Sequence, residues 1–434
     1  MSVARFFYSL LWYLATPLLL LRLLWRARRQ PEYLDHVPER FGFYRGVSAA
    51  GPWIWVHAVS VGETRAAAPL IRALQARYRG HRILLTHMTP TGRETGSALF
   101  GDGVLQCYLP YDQPGAVARF LERFRPVIGV LIETEVWPNL IHAAAKRRMP
   151  LYLVNARLSA RSQAGYRRMG TLARDALCAL TGITAQTTED AARLRELGVA
   201  EVAVTGNLKF DIEVPAEQVA AGRALRADLG ARPVLLAAST RDGEEALLLD
   251  AVQRIGLDDA LLVIVPRHPQ RFDAVAALVA VRGLRMQRRS EDGVIAADTA
   301  VLLGDSLGEM YFYYAACDVA LLGGSFLSYG AQNLIEPCAL GKPVILGPST
   351  YNFAEAADAA VAAGAALRAT DFEEALPIAL QLARDAERRR LMAQSGLAFT
   401  ESYRGATQRV MQQLLISEPG IRSPDGAQRN PGQS

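Results

Sequence analysis

The feature that most constrains this chain is a rhythm that begins at Trp53. Short runs of apolar and β-branched residues alternate with longer stretches of helical periodicity. The runs at 53–58 (WIWVHA), 82–87 (RILLTH), 104–109 (VLQCYL), 127–132 (VIGVLI), 150–155 (PLYLVN) and near 183–186 read as strands. Amphipathic helical patterns, such as 63–77 and 113–124, lie between them. Strands that are apolar at successive positions are covered on both faces, which implies parallel sheets joined by crossover helices. The rhythm breaks at 207–217 (NLKFDIEVPAE) and then restarts with 233–238, 260–265, 300–303, 318–322 and 342–346. The last pattern, 384–413, is helical, and the tail after Ser417 is rich in Pro, Gly, Ser and Gln and is expected to be disordered. A chain of 434 residues is long enough for two such domains, each with its own core.

The expected organisation is therefore an N-terminal segment at 1–30, a first Rossmann-like domain at 31–212, a second at 213–416 and a tail at 417–434. Doubly wound sheets bind ligands beyond the carboxyl ends of their strands. Two of them facing each other make a cleft, and motifs on strand ends should line it.

Residues 1–46 hold seven arginines against three acids, so they carry four of the chain's five net positive charges. The remaining chain is nearly neutral, which argues against a nucleic-acid binder. The run from Phe6 to Leu21 has no charge, and a snorkelling Arg22 would extend it through Trp25. That length is marginal for one spanning helix, and Pro17 is placed to kink it. Arg26, Arg28 and Arg29 follow at once, where a signal peptide would show a small-residue cleavage site. The segment reads as a single N-terminal membrane anchor, a core helix being the plainer alternative. The arginines place the body of the protein on the cytoplasmic side. Four scattered cysteines without CxxC fit a reducing compartment, and six histidines show no zinc spacing. No structural metal and no cofactor is expected.

Six motifs sit at predicted strand ends. In HAVSVGETRAA (57–67), Glu63 falls in the first turn of a helix, where the dipole favours its ionised form and a proton could be taken from a hydroxyl. Helix capping explains such a Glu equally well. The same stretch approximates a GxSxG elbow at Ser60, with Asp211 and His268 downstream, but lacks the first glycine. IETEVWPNL (132–140) sets Glu133 and Glu135 past an apolar strand, pointing to opposite sides by alternation, so one of them has a structural reading. GNLKFD (206–211) offers Lys209 as a cation for a phosphate or carboxylate. VPRHPQRF (265–272) is a stiff basic turn with Arg267 and His268, suited to phosphate. LGDSLGEM (303–310) leads into a helix start near Gly308-Glu309-Met310, an anion site by its free N–H groups. GGSFLSYGAQNLIEP (323–337) leads into another start near Gln332-Asn333, with Glu336 one turn in, able to accept from ribose hydroxyls. GKP at 341–343 is not a Walker motif, and there is no DxD pair to hold a metal-bound diphosphate.

Taken in order, FYRG, HAVSVGET, MTPTG, LPYD, ETEVWPNL, NARLS, GNLKFD, VPRHPQRF, GDSLGEM, GGSF, GAQNLIEP and GPSTYNF resemble the 3-deoxy-D-manno-octulosonic acid (Kdo) transferases of lipid A assembly, glycosyltransferase family 30. The resemblance runs from the N-terminal apolar segment to about residue 415. It implies a GT-B fold, CMP-Kdo as donor, the tetraacyl lipid A precursor (lipid IVA) as acceptor, and work at the cytoplasmic face of the inner membrane against its lipids. By matching motifs, Glu63 would be the general base, with Glu133 and Lys209 supporting the transition state. Pro266, Arg267, Gly308, Glu309, Met310, Asn333, Leu334, Ile335 and Glu336 would hold CMP. The family often shows GGHNPLE where this chain has Gly330-Ala331-Gln332-Asn333-Leu334-Ile335-Glu336, and PHT at Pro348-Ser349-Thr350. No imidazole role carries over there. Two other classes keep part of the pattern: a GT-B enzyme using a UDP-sugar, and a non-catalytic assembly scaffold.

Overall fold

The computed structural model describes residues 2–28, 30–44, 51–291 and 293–414, and the tail 417–434 lies outside them. The first half forms β1 (Trp53–His57), β2 (Arg82–His87), β3 (Leu105–Tyr108), β4 (Ile128–Ile132), β5 (Leu151–Ala156), β6 (Gly182–Ala185) and β7 (Ala203–Val204). They make one sheet in the order β3-β2-β1-β4-β5-β6-β7, every pair parallel. All five residues of β1 are buried, as its unbroken apolar run requires. Trp53 and Trp55 pack edge-on against Phe124 and Phe120 of the helix Pro114–Phe124. Each such buried side chain contributes about 1.5–3 kcal/mol. The strand order reverses between β1 and β4, so the crevice of this sheet opens where those two strands end.

The second half repeats the plan with β8 (Val234–Thr240), β9 (Leu261–Pro266), β10 (Met286–Arg288), β11 (Val301–Leu303), β12 (Val319–Leu322), β13 (Val344–Leu346) and β14 (Ala366–Arg368). Their order is β10-β11-β9-β8-β12-β13-β14, again all parallel, with its reversal between β8 and β12. Strands β7, β10 and β14 escape the sequence reading because they are short and only partly buried, so they lack the continuous apolar run of the equally short β11 and β13.

One compact unit holds Met1–Asp211 together with the segment from Arg404, and the other holds Ile212–Tyr403. The expected second domain, 213–416, thus stops short. The helical pattern at 384–413 falls into the end of Phe372–Arg384, then Ala386–Ser402 and Ala406–Gln413. The last of these belongs to the first unit. Its Ala406 and Val410, with Leu414 beyond, are buried with Leu70, Ile71 and Leu74 of α3 (Val61–Arg77). Asp211 accepts from the Gly405 N–H at 2.7 Å, and Arg409 Nε donates to Thr205 O at 2.8 Å.

The N-terminal segment is not one helix. It forms α1 (Val3–Leu14) and α2 (Thr16–Ala27), bent by 48° at Ala15, and among the described residues no single helix is long and apolar enough to cross a membrane. Pro17, in the first turn of α2, has no N–H to continue the ladder, so the break precedes it. One face of α1 is fastened to the first unit. Tyr8 Oη donates to Asp112 at 2.9 Å, Ser9 Oγ to Asn139 Oδ1 at 3.0 Å, and Trp12 stacks on Tyr111 and Trp137.

Candidate active site

The chain leaves β1 at His57 and enters α3 at Val61, with Ser60 as an extended N-cap. Glu63 folds its carboxylate back over this turn. Val59 N–H donates to Oε2 at 2.7 Å and Ser60 Oγ donates to Oε1 at 3.0 Å. The capping reading and the functional one therefore describe the same geometry. The helix start does not by itself keep Glu63 ionised. Burial, then the nearby Glu133, push its pKa up to about 7, against the two hydrogen bonds and Lys209, which lower it. A carboxyl that gains and loses its proton near neutrality suits general base catalysis.

Strand β4 ends at Ile132, and Glu133 adopts a left-handed backbone, φ +64°. Such a conformation is costly for a residue with a Cβ. It also ends the strand's alternation, so Glu133 and Glu135 are not sent to opposite sides. Both feel the same neighbours. Glu133 pairs with Lys209 Nζ at 2.8 Å. Burial, then Glu63, then to a lesser degree Glu133, raise Glu135 to about 8. Three carboxyls and one lysine thus converge beyond the carboxyl ends of β1 and β4.

Lys209 reaches this point because Asn155 holds its loop. Asn155 is fully buried at the end of β5 with φ +56°, and its Oδ1 accepts from Leu208 N–H at 3.0 Å. Asn207 Oδ1 then accepts from Lys209 N–H at 3.0 Å. Asp112 plays a comparable part for the acidic turn. Its carboxylate accepts from Asn139 and Leu140 N–H at 2.9 and 2.8 Å, at the start of the helix Pro138–Lys146.

Sequence reasoning missed Asn155, Asp112, His57 and Trp137. NARLS and LPYD are the signals that could have found the first two. His57 is fully buried. Its Nδ1 lies 3.1 Å from Thr86 O and 2.9 Å from Thr86 Oγ1, and burial lowers its pKa to about 3, so the ring is neutral. Trp137 Nε1 donates to Glu135 Oε2 at 2.6 Å. The serine-nucleophile alternative finds no support. Ser60 donates to Glu63 and not to an imidazole, Asp211 is engaged by Gly405, and His268 belongs to the other unit.

In the second unit the predicted donor residues lie at or after the carboxyl ends of β9, β11 and β12. Pro266 closes β9, and Arg267 N–H donates to Thr240 O at 2.9 Å. Arg241 Nη1 lies 3.0 Å from His268 Nε2 and its guanidinium stacks over Tyr329. Burial, then Arg241 and Arg267, lower the His268 pKa. Gly308 takes φ +80° and Glu309 precedes a helix of seven residues, Met310–Ala316. The next start is later than expected. The helix is Ile335–Ala339, five residues, so Glu336 lies in its first turn; Leu334 is its N-cap, and Asn333 just before it accepts at Oδ1 from Ile335 N–H at 3.0 Å. Leu334 and Ile335 are fully buried. The loop before them is anchored by Glu244, also fully buried, which accepts from Gly324 and Phe326 N–H at 2.7 and 3.0 Å. Gly323 has to be glycine, because a Cβ there would lie 2.4 Å from Ser239 O. Arg241 and Glu244 went unnoticed in the sequence, since neither stands in the motifs singled out.

Residues 35–212 match the family described as 3-deoxy-D-manno-octulosonic-acid transferase (kdotransferase). A 3-deoxy-D-manno-octulosonic acid transferase of Bordetella pertussis is 48% identical over 92% of this chain and 96% of its own. The protein of the same name from Haemophilus influenzae is 36% identical over 94% and 98%. Among solved structures, a glycosyltransferase of Rickettsia africae aligns with a TM-score of 0.58 over 84% of this chain and 97% of its own, at 12% identity. That likeness concerns the fold alone, two parallel-sheet α/β units of the GT-B kind.

Proposed function

The chain belongs to the Kdo transferases, enzymes of lipopolysaccharide synthesis, and from that premise we propose that it moves Kdo from CMP-Kdo to lipid IVA in a single inverting displacement. Glu63 takes the proton of an acceptor hydroxyl. The oxygen attacks the ketosidic carbon, the bond to the CMP phosphate breaks, and CMP leaves with the electron pair. The leaving group is already an anion, so no acid has to protonate it. The transition state is oxocarbenium-like, and the Glu133–Lys209 pair supports it electrostatically. Pro266, Arg267, Gly308, Glu309, Met310, Asn333, Leu334, Ile335 and Glu336 hold CMP, with basic side chains in place of a metal.

The observation that carries this reading is Glu63. It sits at the crevice of its sheet, its carboxylate is aimed by two hydrogen bonds, and its pKa of about 7 suits a base. Helices α1 and α2 bring the enzyme to its lipid. Phe7, Leu11, Leu14, Leu18, Leu21 and Trp25 are exposed along them, with Arg22, Arg26 and Arg28 nearby in sequence. This is the composition of a segment lying in the interface of a membrane, here the cytoplasmic face of the inner membrane.

The test incubates detergent-solubilised protein with freshly generated CMP-Kdo and lipid IVA, and reads the lipid by mass spectrometry. A mass gain of one or two Kdo units that survives EDTA and disappears in Glu63→Gln is expected. No gain with folded protein would overturn the donor and acceptor assignment and call for a screen of other nucleotide sugars.

A further inference from the structure

Glu135 and His57 are left over by the reaction as described, yet they stand against its base. His57 Nε2 is buried and has no hydrogen-bond partner among the described residues. It faces Glu135 Oε2 across 4.0 Å, longer than a hydrogen bond, so the Glu135 carboxyl has to move closer by about 1 Å to place a proton between them. An orphaned ring nitrogen in a fully buried side chain is costly unless a proton lies between it and a neighbour. Glu135 is the neighbour able to supply one. Its Oε2 already accepts from Trp137 Nε1, and Trp137 also sets its ring edge against that of His57, centroids 6.2 Å apart.

The charges around Glu135 point the same way. His57 faces it from β1, Glu63 from α3, Glu133 from its own turn, Trp137 from the start of the next helix, and Tyr166 from the helix Ala160–Met169. Lys209 brings a cation to this cluster, paired with Glu133 at 2.8 Å. Three ionised carboxylates against one ammonium would repel a donor that carries a carboxylate and a phosphodiester.

We propose that Glu135 and His57 form a positioning pair behind Glu63, in which Glu135 keeps its proton at neutral pH and turns it toward His57 Nε2, so that the site stays receptive to an anionic sugar donor. The pair carries no net charge. On the far side of the ring Nδ1 lies 3.1 Å from the Thr86 carbonyl and 2.9 Å from its hydroxyl; with the proton on Nδ1 and the carbonyl accepting it, Nε2 is the acceptor. The burial that raises Glu135 to about 8 agrees with this arrangement. When Glu135 ionises above that pH, a second negative charge appears beside Glu63, and donor binding weakens while the base remains active.

This rests on the reading of Glu63 as base and CMP-Kdo as donor, so the experiment has two arms. In the first, the donor KM of the full chain is followed from pH 6 to 9.5. Wild type is expected to hold a steady KM up to about pH 8 and then to lose affinity, by up to about tenfold per pH unit. Glu135→Gln, which mimics the protonated acid, should lower kcat at pH 7 by no more than about fivefold and show a flat donor KM to pH 9.5. A wild-type rise that persists in Glu135→Gln overturns the pair, as does a loss of kcat beyond about a hundredfold at every pH, which would mean the ionised form is needed. The second arm needs neither substrate nor variant. The His57 ring nitrogens, followed by nitrogen-15 NMR, should shift with a midpoint near pH 8 as the adjacent proton leaves. A His57 signal that stays flat from pH 6 to 9.5 overturns the pair even if Kdo transfer is confirmed. A shifting signal upholds it even if the donor proves to be another anionic nucleotide sugar.

Discussion

Lys209 and Glu133 act on Glu63 with opposite signs, and the balance sets the pH at which the proposed base would work. Glu133 raises the Glu63 pKa and Lys209 lowers it, on top of the larger effect of burial. A base with a pKa of about 7 is mostly protonated, and idle, one pH unit below; the rate should rise through pH 7 and level off above it. Replacing Glu133 by Gln removes the charge that raises Glu63 and leaves the one that lowers it, so the acid limb of kcat should move to lower pH. Lys209→Met removes the opposing charge and should move it to higher pH. Both variants lose the pair at the transition state, and the plateau should fall by about 10²-fold or more. Full pH profiles of the two variants check the sign. Limbs that move together, or not at all, would mean that these side chains do not share a field with Glu63. The same three carboxyls show where residue-level reading succeeds and where it stops. A Glu in the first turn after a strand is visible in the sequence. That Glu135 shares the site is not, because the alternation argument assumes extended backbone, and Glu133 leaves it at φ +64°.

At the scale of elements, continuous apolar runs were enough to locate eleven of the strands now seen, because burial on both faces leaves a direct mark on composition. The short strands β7, β10 and β14 leave none. Nor does the sequence say that Asn155, at the end of β5, will hold Leu208, which is fifty-three residues further on. A left-handed Asn is locally plausible, but its partner is chosen by the fold. This contact carries a prediction. Asn155→Ala loses a buried acceptor for the Leu208 N–H and forces alanine into a left-handed conformation. Together these should cost about 2–4 kcal/mol of stability. The loop bearing Lys209 would also lose its anchor, so activity should fall more than the stability of the remaining folded fraction explains. Urea denaturation and kcat measured on the same preparation separate the two effects. Unchanged activity in a destabilised variant would reduce Asn155 to packing alone.

On the scale of the whole molecule, the proposed base and the exposed apolar side chains of α1 and α2 belong to one unit. Helix α1 is tied to Asp112 and Asn139, the residues that build the start of the helix following the Glu133–Glu135 turn, and Trp12 stacks on Trp137, whose indole holds Glu135. Exposed apolar side chains follow along both helices: Leu14 of α1 is 67% exposed, and Leu18, Leu21 and Trp25 of α2 are 68%, 60% and 60% exposed. An exposed stretch of this kind has a cost in water that contact with lipid removes, at about 1.5–3 kcal/mol for each side chain fully covered. Arg22, Arg26 and Arg28 add attraction to anionic headgroups, and this part weakens with salt. The purified chain should therefore sediment with vesicles that contain an anionic lipid, and less well with zwitterionic vesicles or at high salt. Leu18→Glu with Leu21→Glu changes only outward-facing residues, so the fold should persist. The loss of two apolar contacts predicts a partition coefficient at least about a hundredfold lower. Activity toward lipid IVA embedded in vesicles should drop with it, while activity toward the same acceptor dispersed in detergent should be kept, because Leu18 and Leu21 are exposed and apart from the Glu63, Glu133 and Lys209 cluster. Equal vesicle binding by the double variant would show that lipid is met elsewhere on the molecule; equal losses in vesicles and detergent would show that these leucines support the site and not the membrane.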